Sequence, residues 1–204
     1  MYERIASEVA LDDGTSVLDV GLTPDTSLAD SNFFEQHHRS PHQIVGVSPE
    51  PIAGLRPLFP EVTLVQASGT RLPIRAGAFD VCVSFAVIEH VGDRTRQHEL
   101  MHEMLRVSDV AVITTPNRWF PIELHTFLPF VHWLPRPAHR WVLRRIGLGF
   151  WSEESNLHLL SRSELEALIP PGYVSTFLPF RLFGLTSNLV AVVRADRGGL
   201  RPAS

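Results

Sequence analysis

Short apolar runs rich in β-branched residues recur along the first half of the chain: Ser16 to Val20, Gln43 to Val47, Val62 to Gln66, Phe79 to Phe85, and Asp109 to Thr114. Turn-rich or helical stretches separate them, and that alternation predicts a parallel sheet with crossover helices. Asn32 to His38, Pro51 to Leu58 and Thr95 to Val107 have helical character; in the last, Leu100, Met101, Met104, Leu105 and Val107 recur at near-helical spacing. The C-terminal part has a different rhythm. Ser161-Arg162-Ser163-Glu164 reads as a capping box opening a helix that Pro170-Pro171-Gly172 ends. Two more strands are expected, Tyr173 to Phe183 and Ser187 to Ala195, joined by Gly184-Leu185-Thr186. A link that short permits an antiparallel hairpin and forbids a helical crossover. Asp196 to Ser204 reads as a frayed end.

A length of 204 residues with 44% hydrophobic and 20% charged residues fits a single domain over 1–204 with a core of its own. The net charge of −4 weighs against binding a phosphate backbone, which needs clustered surplus Lys and Arg, so nucleic acid is not expected as a partner. A small-molecule or lipid-linked substrate is the expectation instead. The lone cysteine, Cys82, lies within an apolar run, as a buried thiol of a reducing compartment would. There is neither a signal-peptide pattern at the N-terminus nor an apolar window of spanning length, and a cytoplasmic location is expected.

Several motifs then fall in a telling order: Val17-Leu18-Asp19-Val20-Gly21, Val45-Gly46-Val47-Ser48, Gln66-Ala67-Ser68-Gly69 with Leu72-Pro73, Phe79-Asp80-Val81, Ile88-Glu89-His90-Val91, and Thr114-Thr115-Pro116-Asn117. Together they resemble the class I S-adenosylmethionine-dependent methyltransferases that act on quinones, sugars, lipids and small metabolites. The resemblance implies an α/β fold: a doubly wound, seven-stranded, mostly parallel sheet ending in an antiparallel hairpin, with S-adenosyl-L-methionine bound at the carboxyl ends of the strands. It also implies a cofactor cleft shaped by Asp19, Gly21, Thr23, Ser48, Glu50, Ser68, Gly69 and Phe85. Three positions depart from the family pattern. Leu22-Thr23-Pro24-Asp25 stands where the family has alternating glycines, Ser48 where a second-strand acid holds the ribose, and Ser68 where an acid meets the adenine. Losing a carboxylate bidentate to a diol costs on the order of 1–3 kcal/mol of affinity. Glu50 or Asp25 can substitute for it, or the fold can serve without cofactor.

Glu89-His90 follows the fourth strand, where acceptor and cofactor would meet, so His90 is the first candidate for a base. Glu89, Asn117 and His125 are candidate substrate or supporting contacts, although Glu89-His90 can equally cap the next segment and Asn117 can do likewise. The pair also resembles the Glu-x-x-Glu-His metal motif of ubiquinone-pathway and small-RNA methyltransferases, but Ala86 occupies the first ligand position, and no metal is expected. His98-Glu99-Leu100-Met101-His102 matches a zinc-protease pattern and reads instead as a solvated helix face.

Residues 118–151 hold all four tryptophans, together with Phe120, Phe127, Phe130, Phe150 and five arginines. This insertion after the fifth strand can form a lid over the substrate, a basic aromatic surface resting on a bilayer, or a helical hairpin or dimer contact. Its four prolines exclude one continuous helix. The chain begins about fifteen residues before the first strand and shows no N-terminal helices of the kind that often cover the substrate in this family. The reading is methyl transfer to a small or lipid-linked metabolite; the alternative is a non-catalytic or repurposed member of the same fold.

Overall fold

In the computed structural model, which describes residues 1–28 and 31–196, the apolar runs become β1 (Val17–Val20), β2 (Ile44–Ser48), β3 (Thr63–Gln66), β4 (Phe79–Phe85), β5 (Ser108–Pro116), β6 (Tyr173–Leu182) and β7 (Leu185–Ala195). They form one sheet in the order β3-β2-β1-β4-β5-β7-β6. The first five strands are parallel, and β7 runs antiparallel between β5 and β6. Chain order reverses between β1 and β4, and at such a switch point the flanking loops diverge and open a crevice.

Two apolar layers sandwich the sheet. On one face α3 (Arg94–Val107) inserts Leu100, Met101, Met104, Leu105 and Val107 against Leu18, Cys82, Ala111 and Ile113, joined by Leu165 of α5 (Arg162–Glu166). On the other, Tyr2 and Ile5 of α1 (Tyr2–Val9) and Phe34 of α2 (Phe33–His37) cover Val17, Val81, Val83 and Val112. At roughly 1.5–3 kcal/mol for each large side chain fully buried, these layers are the main stabilising term of the fold.

Local chemistry fixes the element ends. Asp93 caps α3 by accepting from the Arg96 amide, and Ser161 and Glu164 form the expected reciprocal box at the start of α5. The hairpin differs slightly from expectation: the turn is Phe183-Gly184, both with positive φ, as a type I′ turn requires, so β7 begins at Leu185. Pro51 to Leu58 forms only one 3-10 turn, Ala53–Leu55, because Pro51 and Pro57 remove amide donors and Gly54 disfavours a longer helix. Conversely, α1 forms ahead of the first strand, where no helix was expected; Tyr2 and Ile5 lie on its buried side and Ala10 closes it in a left-handed conformation. The expected frayed tail lies, beyond Asp196, outside the described residues.

The insertion holds one helix, α4 (Arg136–Arg145), flanked by 3-10 turns at Val131–Trp133 and Phe150–Ser152, and not a helical hairpin. Phe120 and Leu143 are buried beneath it. Its arginines reach acids further along the chain: Arg136 and Arg118 meet Glu164, Arg140 meets Glu154, and Arg144 meets Glu153. No helix among the described residues is long and apolar enough to cross a membrane.

Candidate active site

A cleft of about 1160 Å³ opens at the carboxyl edge of the sheet, over the β1/β4 switch point. That volume suits a nucleotide-sized ligand with a second molecule beside it. All eight expected cofactor residues line it: Asp19, Gly21, Thr23, Ser48, Glu50, Ser68, Gly69 and Phe85.

The loop without the family's glycines has its own support. Gly21 leaves β1 with φ +118°, and its amide donates to the Val47 carbonyl at 2.8 Å. A side chain there would collide with Val87, so this one glycine is required. Asn32 then clamps Thr23, accepting from its amide at 2.9 Å and donating to its carbonyl at 3.0 Å. The Thr23 hydroxyl accepts from the Asp25 amide, and the Asp25 carboxylate accepts from the Ser27 amide, which lowers its pKa. Asp25 is thereby spent on the loop itself. On β2, the Ser48 hydroxyl accepts from the Glu50 amide and leaves the Glu50 carboxylate exposed at the cleft wall. Ser68 bonds Thr70, and a Cβ on Gly69 would lie 2.6 Å from Val20 Cγ1, so that wall is backbone packed close against the sheet.

The opposite wall carries the titratable groups. After β4 the chain turns at Ala86, which takes φ 53°, a strained conformation for alanine, while its amide donates to the Thr114 carbonyl and hydroxyl. That turn delivers Glu89 and His90. Glu89 is fully buried; one carboxylate oxygen accepts from the Thr115 hydroxyl at 2.9 Å, and the other has no partner among the described protein groups. Burial raises its pKa, while the nearby His90 and His125 work against that rise. Gln97 ties the segment down by donating to the Ile88 and His158 carbonyls.

His90 Nδ1 lies 2.7 Å from the Asn156 carbonyl, which can only accept, so that nitrogen holds a hydrogen. Its Nε2 faces His125 Nε2 at 3.1 Å, and His125 Nδ1 lies 2.7 Å from Glu123 Oε1. Glu123 is an ionised anchor: burial opposes its charge, yet bonds from His125 and Thr126 bring its pKa down to about 2. For His125, burial disfavours the charged ring, but Glu123 outweighs it and the pKa is raised. With each Nδ1 turned to an oxygen acceptor, the two Nε2 atoms face each other as a carboxylate-backed imidazole pair that can take up one proton between them. Trp151 packs over it, 5.1 Å from the His125 ring.

Glu89, His90 and His125 each offer one donor atom within 4.8 Å of the others. The expectation of no metal rested on Ala86 leaving Glu89, His90 and His125 as a thin site; the fold brings those three donors together, and one carboxylate with two imidazoles has the composition to hold a divalent cation. Asn117 lies apart from the cleft, because its amide donates to the Thr186 carbonyl and its oxygen accepts from the Trp119 amide. It pins the insertion to the hairpin. His98 and His102 are exposed on α3, as a solvated face requires. Three site groups escaped the sequence reading: Glu123, whose only signal was its place two residues before His125; Asn32; and Glu35, hidden in an aromatic helix.

A sheet of this order, with an antiparallel β7 and a nucleotide-sized cleft at the switch point, is the architecture of the class I methyltransferases. A methyltransferase-domain family model matches residues 25–109. A probable S-adenosylmethionine-dependent methyltransferase of Mycobacterium tuberculosis (strain CDC 1551 / Oshkosh) is 37% identical over 67 residues, which is 33% of this chain and 24% of that protein. The match thus spans about a quarter of that relative's length. The methyltransferase domain of bacterial CtHen1 superposes with a TM-score of 0.59 at 15% identity, covering 95% of each chain. The N-methyltransferase NodS of Bradyrhizobium japonicum, in complex with S-adenosyl-l-homocysteine, superposes with a TM-score of 0.56 at 13% identity, over 96% of this chain and 87% of that one. Family model, relatives and fold agree in supporting a class I S-adenosylmethionine-dependent methyltransferase, a class whose cofactor is S-adenosyl-L-methionine.

Proposed function

We propose that this chain transfers a methyl group from S-adenosylmethionine to a polar atom of a small or lipid-linked metabolite in the cytoplasm, with the His90–His125 pair taking the acceptor's proton. The observation that carries this is the division of one cleft into two walls. Cofactor-type residues from β1 to β3 form one, and an imidazole pair backed by Glu123 forms the other.

When bound, S-adenosylmethionine supplies an electrophilic methyl group. The protein's task is then alignment and proton removal. With both rings neutral, two Nε2 lone pairs face each other, and the proton of an acceptor hydroxyl or amine placed there is taken up between them. Glu123 stabilises the resulting imidazolium without leaving its place, since four donors hold it. Phe85, packed against the tilted rings of Phe33 and Phe34, gives the cleft an apolar wall against the cofactor.

The lipid-linked option is supported by the exposed aromatic side chains of the insertion. Trp119, Phe127, Phe130, Trp141 and Phe150 of the insertion are more than half exposed. The hairpin tip adds Leu182, Phe183 and Leu185 on the same edge, because Pro116 pairs with Asn188 there. Four of the five arginines of 118–151 are paired with Glu153, Glu154 and Glu164, and Arg145, beside the exposed Trp141 ring, is the cation this surface offers to an anionic bilayer.

A second reading is favoured by the three donors around Glu89: a divalent cation held by Glu89, His90 and His125 would replace the shared proton and orient an acceptor hydroxyl. Labelled methyl transfer from S-adenosylmethionine to water-soluble and lipid-extractable acceptors, with and without chelator, tests both. Activity that survives chelation and falls about 100-fold in His90→Ala supports the base. Loss on chelation with recovery by added metal supports the cation, and failure to bind cofactor at millimolar concentration overturns the methyltransferase reading.

A further inference from the structure

Six non-glycine residues among those described take a positive φ, and three of them have a task inside the fold: Ala10 closes α1, Asn32 clamps Thr23, and Ala86 turns the chain after β4. The other three are phenylalanines turned to solvent. Phe127 (φ 56°) is 75% exposed, Phe130 (φ 61°) 53% and Phe183 (φ 52°) 91%. The left-handed region is costly for a bulky side chain and easy for glycine or asparagine. Leaving an aromatic ring in water is a second cost, so a fold that only needed three turns has no use for phenylalanine at their tips.

These turns grow out of the walls of the cleft. The loop from Pro121 to Phe130 is closed at its base, where the Phe130 amide donates to the Pro121 carbonyl at 2.8 Å and Ile122 bridges Pro129. It carries Glu123 and His125, and the Phe127 amide donates to the Glu123 carbonyl at 2.8 Å. Phe183 is the tip of the β6–β7 hairpin, ahead of Asn188, which lines the cleft. The free charge on these segments has one sign. Arg145 and Arg181 form no ion pair among the described residues. The single acid of 118–151 is the buried Glu123, and 173–195 has none. Exposed acids at this edge lie elsewhere: Asp25 and Glu50 follow β1 and β2, in the other half of the sheet, Asp93 caps α3, and Glu153 and Glu154 are paired with Arg144 and Arg140.

Apolar rings at turn tips, with unpaired arginines on the same segments, match the interface of an anionic bilayer, where rings enter the acyl boundary and guanidinium groups meet lipid phosphates. We propose that Phe127, Phe130 and Phe183 are the lipid-inserting points of the protein and set the β5-β7-β6 half of the cleft edge against an anionic membrane. Trp141 and Phe150 add to the same contact. Phe127 and His125 belong to one closed loop, so insertion of the Phe127 ring also orders His125 opposite His90. This rests on the lipid-linked reading above and deepens it: the acceptor reaches the cleft from the bilayer, and membrane docking seats the imidazole pair that receives it.

Co-sedimentation and amide deuterium exchange on the full chain test this with phosphatidylglycerol vesicles, phosphatidylcholine vesicles and no lipid. Expected is binding to the anionic vesicles, with exchange slowed in 121–130 and 181–186 and unchanged in 75–78, which precede β4 on the opposite edge. Phe127→Asn, Phe130→Asn and Phe183→Asn together keep the turns and remove the rings. That variant should bind vesicles about tenfold or more weakly while its melting temperature holds or rises, since asparagine relieves the strain. Arg145→Gln with Arg181→Gln should lower binding on phosphatidylglycerol to the level on phosphatidylcholine. Phe183→Asn alone serves if the triple variant does not fold, and the wild-type exchange pattern is decisive without either. Full vesicle binding by the triple variant, or slowed exchange only outside the two segments, overturns the proposal. So does a concentration-dependent dimer of the wild type, seen by light scattering without lipid and lost in the variant, which would make a second copy the partner. Methyl label in lipid extracts without vesicle binding overturns the docking and leaves the lipid-linked reading standing; vesicle binding with label confined to water-soluble acceptors does the reverse.

Discussion

Glu123→Gln tests the anchor of the imidazole pair with the least change of shape. The Glu123 side chain is 1% exposed, and its oxygens accept from the His125 amide and Nδ1 at 2.9 and 2.7 Å and from the Thr126 amide and hydroxyl at 2.7 Å each. An amide keeps one acceptor oxygen and turns an NH₂ group onto the other pair of partners, which leaves at least one buried backbone N–H facing a donor. The carboxyl pKa falls from an ordinary 4.5 to about 2 in the folded chain, a difference worth about 3 kcal/mol of stability at neutral pH. Because the folded value is depressed, that stability is complete above pH 4.5 and drains away as pH falls toward 2. His125 acts with the opposite sign: its raised value adds stability below its unfolded pKa and loses it as pH rises through the folded value. Urea unfolding from pH 3 to 9, read as wild type minus variant, should therefore give a plateau of about 3 kcal/mol near pH 5 to 6 that declines on both sides. A difference below about 1 kcal/mol, or one independent of pH, would refute the anchored-pair account.

Four further outcomes follow from the same geometry. His90→Ala should lower kcat about 100-fold while leaving S-adenosylhomocysteine affinity unchanged; equal loss of both would mean His90 only shapes the cleft. Gly21→Ala should cost about 2 kcal/mol and weaken cofactor binding, since its φ of +118° and the neighbouring Val87 exclude a methyl group; unfolding and calorimetry check the two parts. Asn117→Ala should lower stability by about 1–3 kcal/mol through its two lost bonds, with cofactor affinity unmoved, as its place outside the cleft requires. In co-sedimentation with anionic vesicles, Trp141→Ser and Phe150→Ser together should release the protein to the supernatant without changing its melting temperature; persistent binding would put the membrane contact elsewhere.

The sheet was legible because its signals are local. Runs such as Phe79 to Phe85 mark buried strands, and Pro170-Pro171-Gly172 marks a stop, whatever else the chain does. The elements that went astray depend on partners distant in sequence or on single residues. α1 exists because Tyr2 and Ile5 dock on Phe34 and the sheet, and Pro51 to Leu58 fails as a helix for lack of amide donors. The eight residues expected at the cofactor were placed in one cleft for the same topological reason that strand ends are legible: the loops following β1, β2 and β3 converge at one edge. Glu123 and Glu35 were not, because a buried acid is recognised by what it touches, and His125 and Asp19 come into contact with them only in the folded chain. Asn117 shows the converse: a polar residue at a functional strand end whose hydrogen bonds all go to the hairpin and the insertion.

S-adenosylhomocysteine titrated calorimetrically into the full chain at pH 8 tests the central claim most directly, because the altered Leu22 to Asp25 loop, Ser48 and Ser68 all bear on that one affinity. One saturable site per chain, weakened by Gly21→Ala, is the predicted result. No heat of binding at millimolar ligand, with wild type and Gly21→Ala indistinguishable, would contradict it.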